Sequence, residues 1–391
     1  MLTSSPVLDP RSIIVLAGIM GLLMAVVMFS MRRSYPKSIR GLREWTIAPI
    51  TCCASTVLFA LRGVLPDLIT IVIANMVLLQ GCVFYYAGSQ LFLGHPRDTR
   101  WWSVSIVAVG IVLFWFSAIQ PNYAVRLAVF TLAIAALFAA HARLYLRHPL
   151  LHFGMRLMTG LLVVQALVAA LRFVSVVLGA AGVGLLEASL FQSLYIVMYS
   201  LTALMLSIAG VLMATDRVRV EFEFLATHDP LTGVLNRRAL FAFVEAEFAR
   251  SQHAGTPLSL LMLDADHFKN INDAFGHQAG DEVLREMAQR LQSPLPAAAR
   301  LGRYGGEEFL VALPGLSPEA ARVVAERLRE VLAAPFDASS LLAVAGIGRL
   351  TVSIGVAGVQ GATDTLDAML ARADAALYRA KAQGRDRVES A

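Results

Sequence analysis

With 391 residues, 57% of them hydrophobic, and a positive mean hydropathy, the chain is too long for a single small domain and too apolar for a wholly water-exposed protein. Its net charge of +5 is not a nucleic-acid signature, because the basic surplus lies between apolar runs. Residues 1–214 hold 14 Lys and Arg against 5 Asp and Glu, whereas residues 215–391 hold 19 against 23.

Seven apolar stretches are long enough to cross a bilayer as helices, near 12–31, 45–62, 68–91, 102–119, 124–142, 157–180 and 189–213. The first lacks a small-residue cleavage site and runs into Arg32 and Arg33, so it reads as an anchor rather than a removed signal peptide. Basic residues cluster after the first stretch (Arg32, Arg33, Lys37, Arg40, Arg43), the third (Arg97, Arg100) and the fifth (Arg143, Arg147, Arg156). The alternate loops hold little charge: Arg62 and Asp67, the turn 120–123 and the Gly-rich stretch 179–186. The positive-inside rule then places the N-terminus outside and everything after Asp216 in the cytoplasm. Cys52, Cys53 and Cys82 fall inside apolar runs and read as small core or lipid-embedded residues. His141 and His148 are expected at the cytoplasmic interface. Arg172 interrupts the sixth stretch; it is either a functional charge or one that snorkels to an interface or caps a local polar cluster. Residues 215–227 carry Val218, Phe222 and Leu225 at helical spacing, a short apolar stripe on a helix leaving the membrane and suited to transmitting a change in dimer packing.

Turn signals at Asp229-Pro230 and Thr232-Gly233 precede an amphipathic helix that runs through Phe248. Residues 257–263 form a continuous apolar run of strand length ending at Asp264-Ala265-Asp266, and carboxylates at the end of a buried strand are a recurring metal arrangement. Gly280-Asp281 opens an apolar-periodic helix to Leu291. Next, Gly305-Gly306-Glu307-Glu308 sits between Leu301 and the alternating Phe309, Val311 and Leu313, a β-hairpin with the glycine pair at its tip. Adjacent acids repel, and a divalent cation or a cationic neighbour would offset that cost; the plain alternative is a solvated turn. A helix over 317–333, a strand over 350–356 and a helix over 366–383 complete the region.

Five motifs stand in order: Asp229-Pro-Leu-Thr-Gly with Asn236-Arg237-Arg238; Asp264-x-Asp266-x-Phe268-Lys269-x-x-Asn272-Asp273 with Gly276-His277-x-x-Gly280-Asp281; Arg303-Tyr-Gly-Gly-Glu-Glu-Phe309; Thr351-Val-Ser-Ile-Gly-Val-Ala357; and Ala373-Asp374-x-Ala376-Leu377-Tyr378-x-Ala380-Lys381-x-x-Gly384-Arg385. In this order they resemble the GGDEF-domain diguanylate cyclases, in the GGEEF variant, over about residues 222–388. The apolar stretches give an all-α seven-helix membrane domain over 1–213 and a helical linker over 214–227, and the resemblance implies, over 228–391, an α/β domain with a palm-like antiparallel sheet, as in nucleotidyl cyclases; the chain is thus read as multidomain. It implies condensation of two GTP into cyclic di-GMP and two pyrophosphates by a homodimer at a bacterial inner membrane. A catalytically silent receptor for GTP or cyclic di-GMP is the alternative.

The site residues follow from the same resemblance. Asp264, the Ala265 carbonyl and Glu307 would hold Mg²⁺, or Mn²⁺ in its place. Glu307 would also help deprotonate the 3′-hydroxyl, and Glu308 would support the metal site. Gly305 and Gly306 would leave room for the nucleotide, while Lys269, Lys381, Arg385 and the backbone around Phe268 would meet the phosphates. Lys381 and Arg385 can also be read as ordinary charges at a helix C-terminus. Asn272 and Asp281 match the guanine-reading pair, and Asp229 would pair structurally with Arg303. Many relatives carry a product-binding Arg-x-x-Asp, whose positions here are Pro296 and Ala299, so no allosteric product site is expected. The implied partners are GTP, a second copy and membrane lipid, with no nucleic acid; the signal received by the membrane half stays open.

Overall fold

A computed structural model describes residues 9–149, 152–179, 190–335, 347 and 349–391. The chain divides into two compact units, Met1–Val220 and Glu221–Ala391.

The first unit is helical: α1 (Pro10–Ser34), α2 (Leu42–Ala60), α3 (Leu68–Phe92), α4 (Arg100–Ile119), α5 (Tyr123–Leu146), α6 (Phe153–Val177) and α7 (Leu190–Thr227). Sequence chemistry sets the ends. Asp9 caps α1 by accepting from the Ser12 amide at 3.1 Å, with Pro10 in the first turn, and Asn122 caps α5 through the Val125 amide at 3.2 Å. The first turn of α3 and the last turns of α4 widen into π-helix. Where α2 meets α3, glycines permit close approach: a Cβ at Gly81 would lie 3.3 Å from the Ala48 carbonyl oxygen, and one at Gly88 would strike the Trp45 indole. Trp45 is 1% exposed and donates through Nε1 to the Tyr85 carbonyl at 3.2 Å.

Among the described residues six helices, rather than seven, are long and apolar enough to cross a membrane. The one that falls short is α2, which forms where an apolar stretch was expected but begins with Arg43 and Glu44 and buries Glu44, Thr46 and Ser55. The Gly-rich stretch expected to form an outer loop falls, from residue 180 on, outside the described residues. His141, expected at the interface, does not face outward. It is buried at 1% exposure and hydrogen-bonds the Ser89 hydroxyl of α3 at 2.8 Å, a partner that lets an imidazole sit inside the bundle. His148 does lie at the surface, 3.0 Å from His95 between the two Nε2 atoms. Cys52 and Cys82 are buried, Cys53 is half-buried, and all three are free thiols.

The second unit wraps helices around a five-stranded sheet in the order β2-β3-β1-β4-β5, with β1 (Leu258–Ala265), β2 (Arg300–Gly305), β3 (Glu308–Pro314), β4 (Val352–Gly358) and β5 (Val388–Ser390). All eight residues of central β1 are buried, which is why its sequence is mostly apolar rather than alternating; buried Ser259 donates to the Leu316 carbonyl at 2.9 Å. The antiparallel expectation needs correction at one edge: β5 pairs parallel with β4, so the sheet is mixed. No long apolar run announces β5; only Val388 of its three residues is buried. On one face lie α8 (Arg237–Ala254) and α12 (Leu366–Ala382), enclosing Leu240, Leu260, Met262, Leu310 and Leu377. The opposite face is covered by α10 (His277–Gln292) and α11 (Pro318–Ala333), enclosing Leu261, Leu263, Val283, Phe309 and Leu328. Between β1 and α10 stands the short helix α9 (Phe268–Phe275), not anticipated as a separate element although Phe268, Ile271 and Phe275 carry helical spacing. The α10 helix starts at His277, a turn earlier than Gly280.

Candidate active site

The site forms where β1 ends against the β2–β3 hairpin. The hairpin tip is Gly306-Glu307 rather than the glycine pair: Gly305 ends β2 opposite Glu308, and Gly306 takes the left-handed φ of +51° that the tight turn requires. Antiparallel register sets Glu308 directly beside Asp264, and the pleat sends both toward the face covered by α12. From α12, Lys381 Nζ reaches Asp264 Oδ2 at 2.7 Å. Lys381, anticipated as a phosphate contact, therefore ion-pairs with the strand-end acid. The Ala265 amide faces the Glu307 carbonyl at 3.5 Å, which ties the turn to the end of β1.

Electrostatics at this point are unfavourable to the carboxylates. Burial pushes the Asp264 carboxyl above its ordinary range; Lys381 opposes the shift, while Glu307 and Asp266 add to it. Glu308 is raised as well, first by burial and then by the charge of Asp264, with Asp374 and Glu307 contributing. Hard oxygen donors whose ionisation is opposed by burial and mutual repulsion suit a divalent cation such as Mg²⁺, whose charge offsets both. Among the described residues no three His, Cys, Asp or Glu side chains converge on one point, so a cation held by Asp264 and Glu307 would take a backbone carbonyl, such as that of Ala265, as a further donor.

Asp266 does different work. Its Oδ1 accepts from the Ser353 hydroxyl at 2.7 Å and its Oδ2 from the Asp386 amide at 3.0 Å. It thereby braces the turn after α12, where Gly384, Arg385 and Asp386 all have positive φ (115°, 62° and 45°). Sequence reading missed Ser353 and Asp386 as its partners and Asp374 as a neighbour of Glu308; the only local signal was the Gly384 turn. Arg385 and Lys269 are exposed. His267, at φ 57°, turns the chain into α9 without a capping side chain, which leaves the amides of the first turn near Phe268 free of one. Asn272 packs against Gly280, the residue before Asp281: a Cβ there would collide with Asn272 Oδ1 and come within 3.2 Å of the Phe268 ring. Pro296 is exposed, and Ala299 is 8% exposed within the apolar core.

Arg303 Nη1 lies 3.2 Å from both oxygens of Asp229, and its Nε donates to the Gly306 carbonyl at 2.9 Å, so one guanidinium links the domain entrance to the hairpin tip. Burial opposes ionisation of Asp229, but the Thr232 hydroxyl and amide and the Arg303 charge outweigh it, leaving its pKa below the ordinary 3.8. Asp229→Asn should accordingly cost residues 215–391 about 1–2 kcal/mol at neutral pH. A carboxylate with a lowered pKa contributes fully above its unfolded value and loses that contribution as pH falls through the folded value. In urea titrations the gap between wild type and variant should therefore persist down to about pH 4 and close only below it; a gap that narrows between pH 7 and pH 5 would refute the ion pair as its source.

Residues 226–387 match the family described as diguanylate cyclase, GGDEF domain. This segment is a GGDEF domain. The chain is similar to the diguanylate cyclase DgcP of Pseudomonas aeruginosa, 47% identical over 167 residues that make up 42% of this chain and 24% of that protein. It is also similar to the response regulator PleD of Caulobacter vibrioides, 44% identical over 165 residues, 42% of this chain and 36% of that one. Among solved structures, the GGDEF domain of DgcB from Caulobacter crescentus in complex with c-di-GMP is 34% identical, with 42% of this chain and 95% of that one covered and a TM-score of 0.39. The chain thus spans well under half the length of the curated relatives named here. In the GGDEF domain, the hairpin tip, the end of β1 and the end of α12 bring Glu307, Glu308, Asp264 and Lys381 into one neighbourhood.

Proposed function

We propose that this chain is a membrane-tethered diguanylate cyclase, joining two GTP into cyclic di-GMP with release of two pyrophosphates. One observation carries the reading: Glu308 stands opposite Asp264 in the strand register, Glu307 is close enough for its charge to act on Asp264, and Lys381 from α12 ion-pairs with Asp264. Asp264, Glu307 and the Ala265 carbonyl would hold Mg²⁺ or Mn²⁺, which when bound offsets charge on the triphosphate. Glu307 takes the proton of the 3′-hydroxyl as its oxygen attacks the α-phosphate of the other GTP, and the bond to pyrophosphate breaks. Lys381, Lys269 and Arg385 bind phosphate oxygens, Lys381 exchanging Asp264 for the nucleotide. Asn272 and Asp281 read the guanine edge, since a carboxylate accepts from N1–H and the exocyclic amine that adenine lacks at those positions. Each domain holds one GTP, so the active form is a homodimer.

The same proposal covers the architecture: a membrane domain over 1–213 with seven crossings, α2 completing the set, a linker over 214–227 and a palm-like cyclase domain over 228–391. The N-terminus lies outside a bacterial inner membrane and the catalytic domain in the cytoplasm. Incubating residues 215–391 with GTP and Mg²⁺ and separating the products by chromatography tests the reading. Binding of GTP without product would favour a silent receptor instead.

Feedback follows from Pro296 and Ala299. Proline offers no charged fork and the Ala299 methyl is buried, so neither can make the charge-assisted hydrogen bonds, each contributing roughly 1.5–3 kcal/mol, that would hold product at that position. Cyclic di-GMP added to the active fragment should not inhibit non-competitively in the low-micromolar range; such inhibition would overturn the expectation.

A further inference from the structure

Within the first unit, helices α1–α7 surround a cavity of about 220 Å³ with no part in nucleotide chemistry. Its walls are largely apolar, with Ile14, Phe59, Leu78, Phe130 and Ile196 among them. Three arginines also line it, Arg62 after α2, Arg126 in the first turn of α5 and Arg172 near the end of α6, and among the described residues no Asp or Glu does. Asp67, an acid near Arg62, stands outside the lining. Guanidinium charge enclosed by apolar helices without carboxylates is costly unless something supplies the missing negative charge.

The polar groups of the lining are prepared but incompletely used. Arg172 is 7% exposed, donates to Gln192 Oε1 at 2.7 Å and lies over the Tyr195 ring, 4.6 Å from its centre. It does not snorkel outward; it is oriented inside the bundle. Arg126 donates to the Ser117 hydroxyl at 3.1 Å, yet its Nε is buried without a hydrogen-bond partner. Ser55, which is fully buried, and Tyr199 also line the cavity with hydroxyls that lack partners. Buried donors left open in this way mark a place where a ligand's acceptors fit.

We propose that this cavity binds an acidic amphiphile, with its carboxylate or phosphate head against Arg126 and Arg172 and its hydrocarbon part among the side chains of α1–α3. The proposal is independent of the cyclase reading, because it concerns binding alone. The head could belong to a free acid or to an anionic lipid drawn from the bilayer.

The test uses the full chain, delipidated and placed in phosphatidylcholine nanodiscs, titrated calorimetrically with octanoate, octyl phosphate, octanol and octyltrimethylammonium. Empty nanodiscs correct for partitioning. Octanoate and octyl phosphate should bind saturably, and octanol and octyltrimethylammonium at least about tenfold more weakly. Arg172→Gln and Arg126→Gln should each weaken octanoate about tenfold or more, with Arg172→Lys retaining part of the affinity. Equal binding of octanol and octanoate, or no saturable binding of either acid, overturns the proposal, and this comparison on the unmodified chain stands even if a variant misfolds. Phosphatidylglycerol in the discs assigns the source: competition with octanoate supports a lipid head, and an unchanged isotherm supports a free acid.

Discussion

Glu307→Gln in residues 215–391 is expected to lower cyclic di-GMP formation from GTP by about 10³-fold while leaving the unfolding midpoint nearly unchanged. Glutamine has the size and shape of the side chain it replaces, so the Gly306-Glu307 turn should persist, with Gly306 still at φ +51° and the backbone carbonyl of position 307 still facing the Ala265 amide. What disappears is the negative charge beside Asp264 and Glu308 that a cation and a departing hydroxyl proton both need. Removing that charge also relieves the repulsion that helps hold the Asp264 carboxyl above its ordinary range. Chromatographic product assay alongside thermal melting separates the two effects. Substantial turnover in the variant would remove Glu307 from the chemistry, and a large drop in melting temperature would make it a folding residue.

The largest stability effect is expected at a position with no polar atom to offer. Gly355→Ala should destabilise the GGDEF domain by about 3 kcal/mol or more, because the site is overpacked by backbone rather than by a side chain that can turn away. A Cβ on β4 at this point would collide with the Ala373 carbonyl and the Leu377 amide of α12. The helix therefore rests directly on the strand, and its C-terminal half carries Lys381 to Asp264. Lifting α12 off the sheet should also lengthen that ion pair, so the fraction of variant that still folds should be less active per molecule. Urea unfolding of wild type and variant measures the first effect. A loss below about 1 kcal/mol would mean that α12 can shift freely over β4.

The sequence by itself determined what depends on neighbours along the chain. The apolar run from Leu258 to Leu263, broken only by Ser259, marks a strand buried on both faces, and the alternation of Phe309, Val311 and Leu313 after a glycine pair marks the return strand of a hairpin. The five ordered motifs likewise lie in local runs, so the family was legible before any coordinate. Tertiary structure decided the matters that depend on elements distant in sequence. Lys381 and Asp264 are separated by more than a hundred residues and meet only because α12 packs on the face toward which Asp264 points. The position of His141 near a helix end could be read from the chain, but not that Ser89 of another helix gives its imidazole a partner inside the bundle. The tip of the hairpin moved by one residue because register with β3 pairs Gly305 with Glu308, leaving only Gly306 to adopt the left-handed turn. Arg172 could be recognised as an expensive charge from the sequence alone, but its burial against Gln192 and Tyr195 could not. The reason is physical: backbone periodicity and turn chemistry act over a few residues, whereas the partner of a buried charge is chosen by which faces the packed helices and strands bring together.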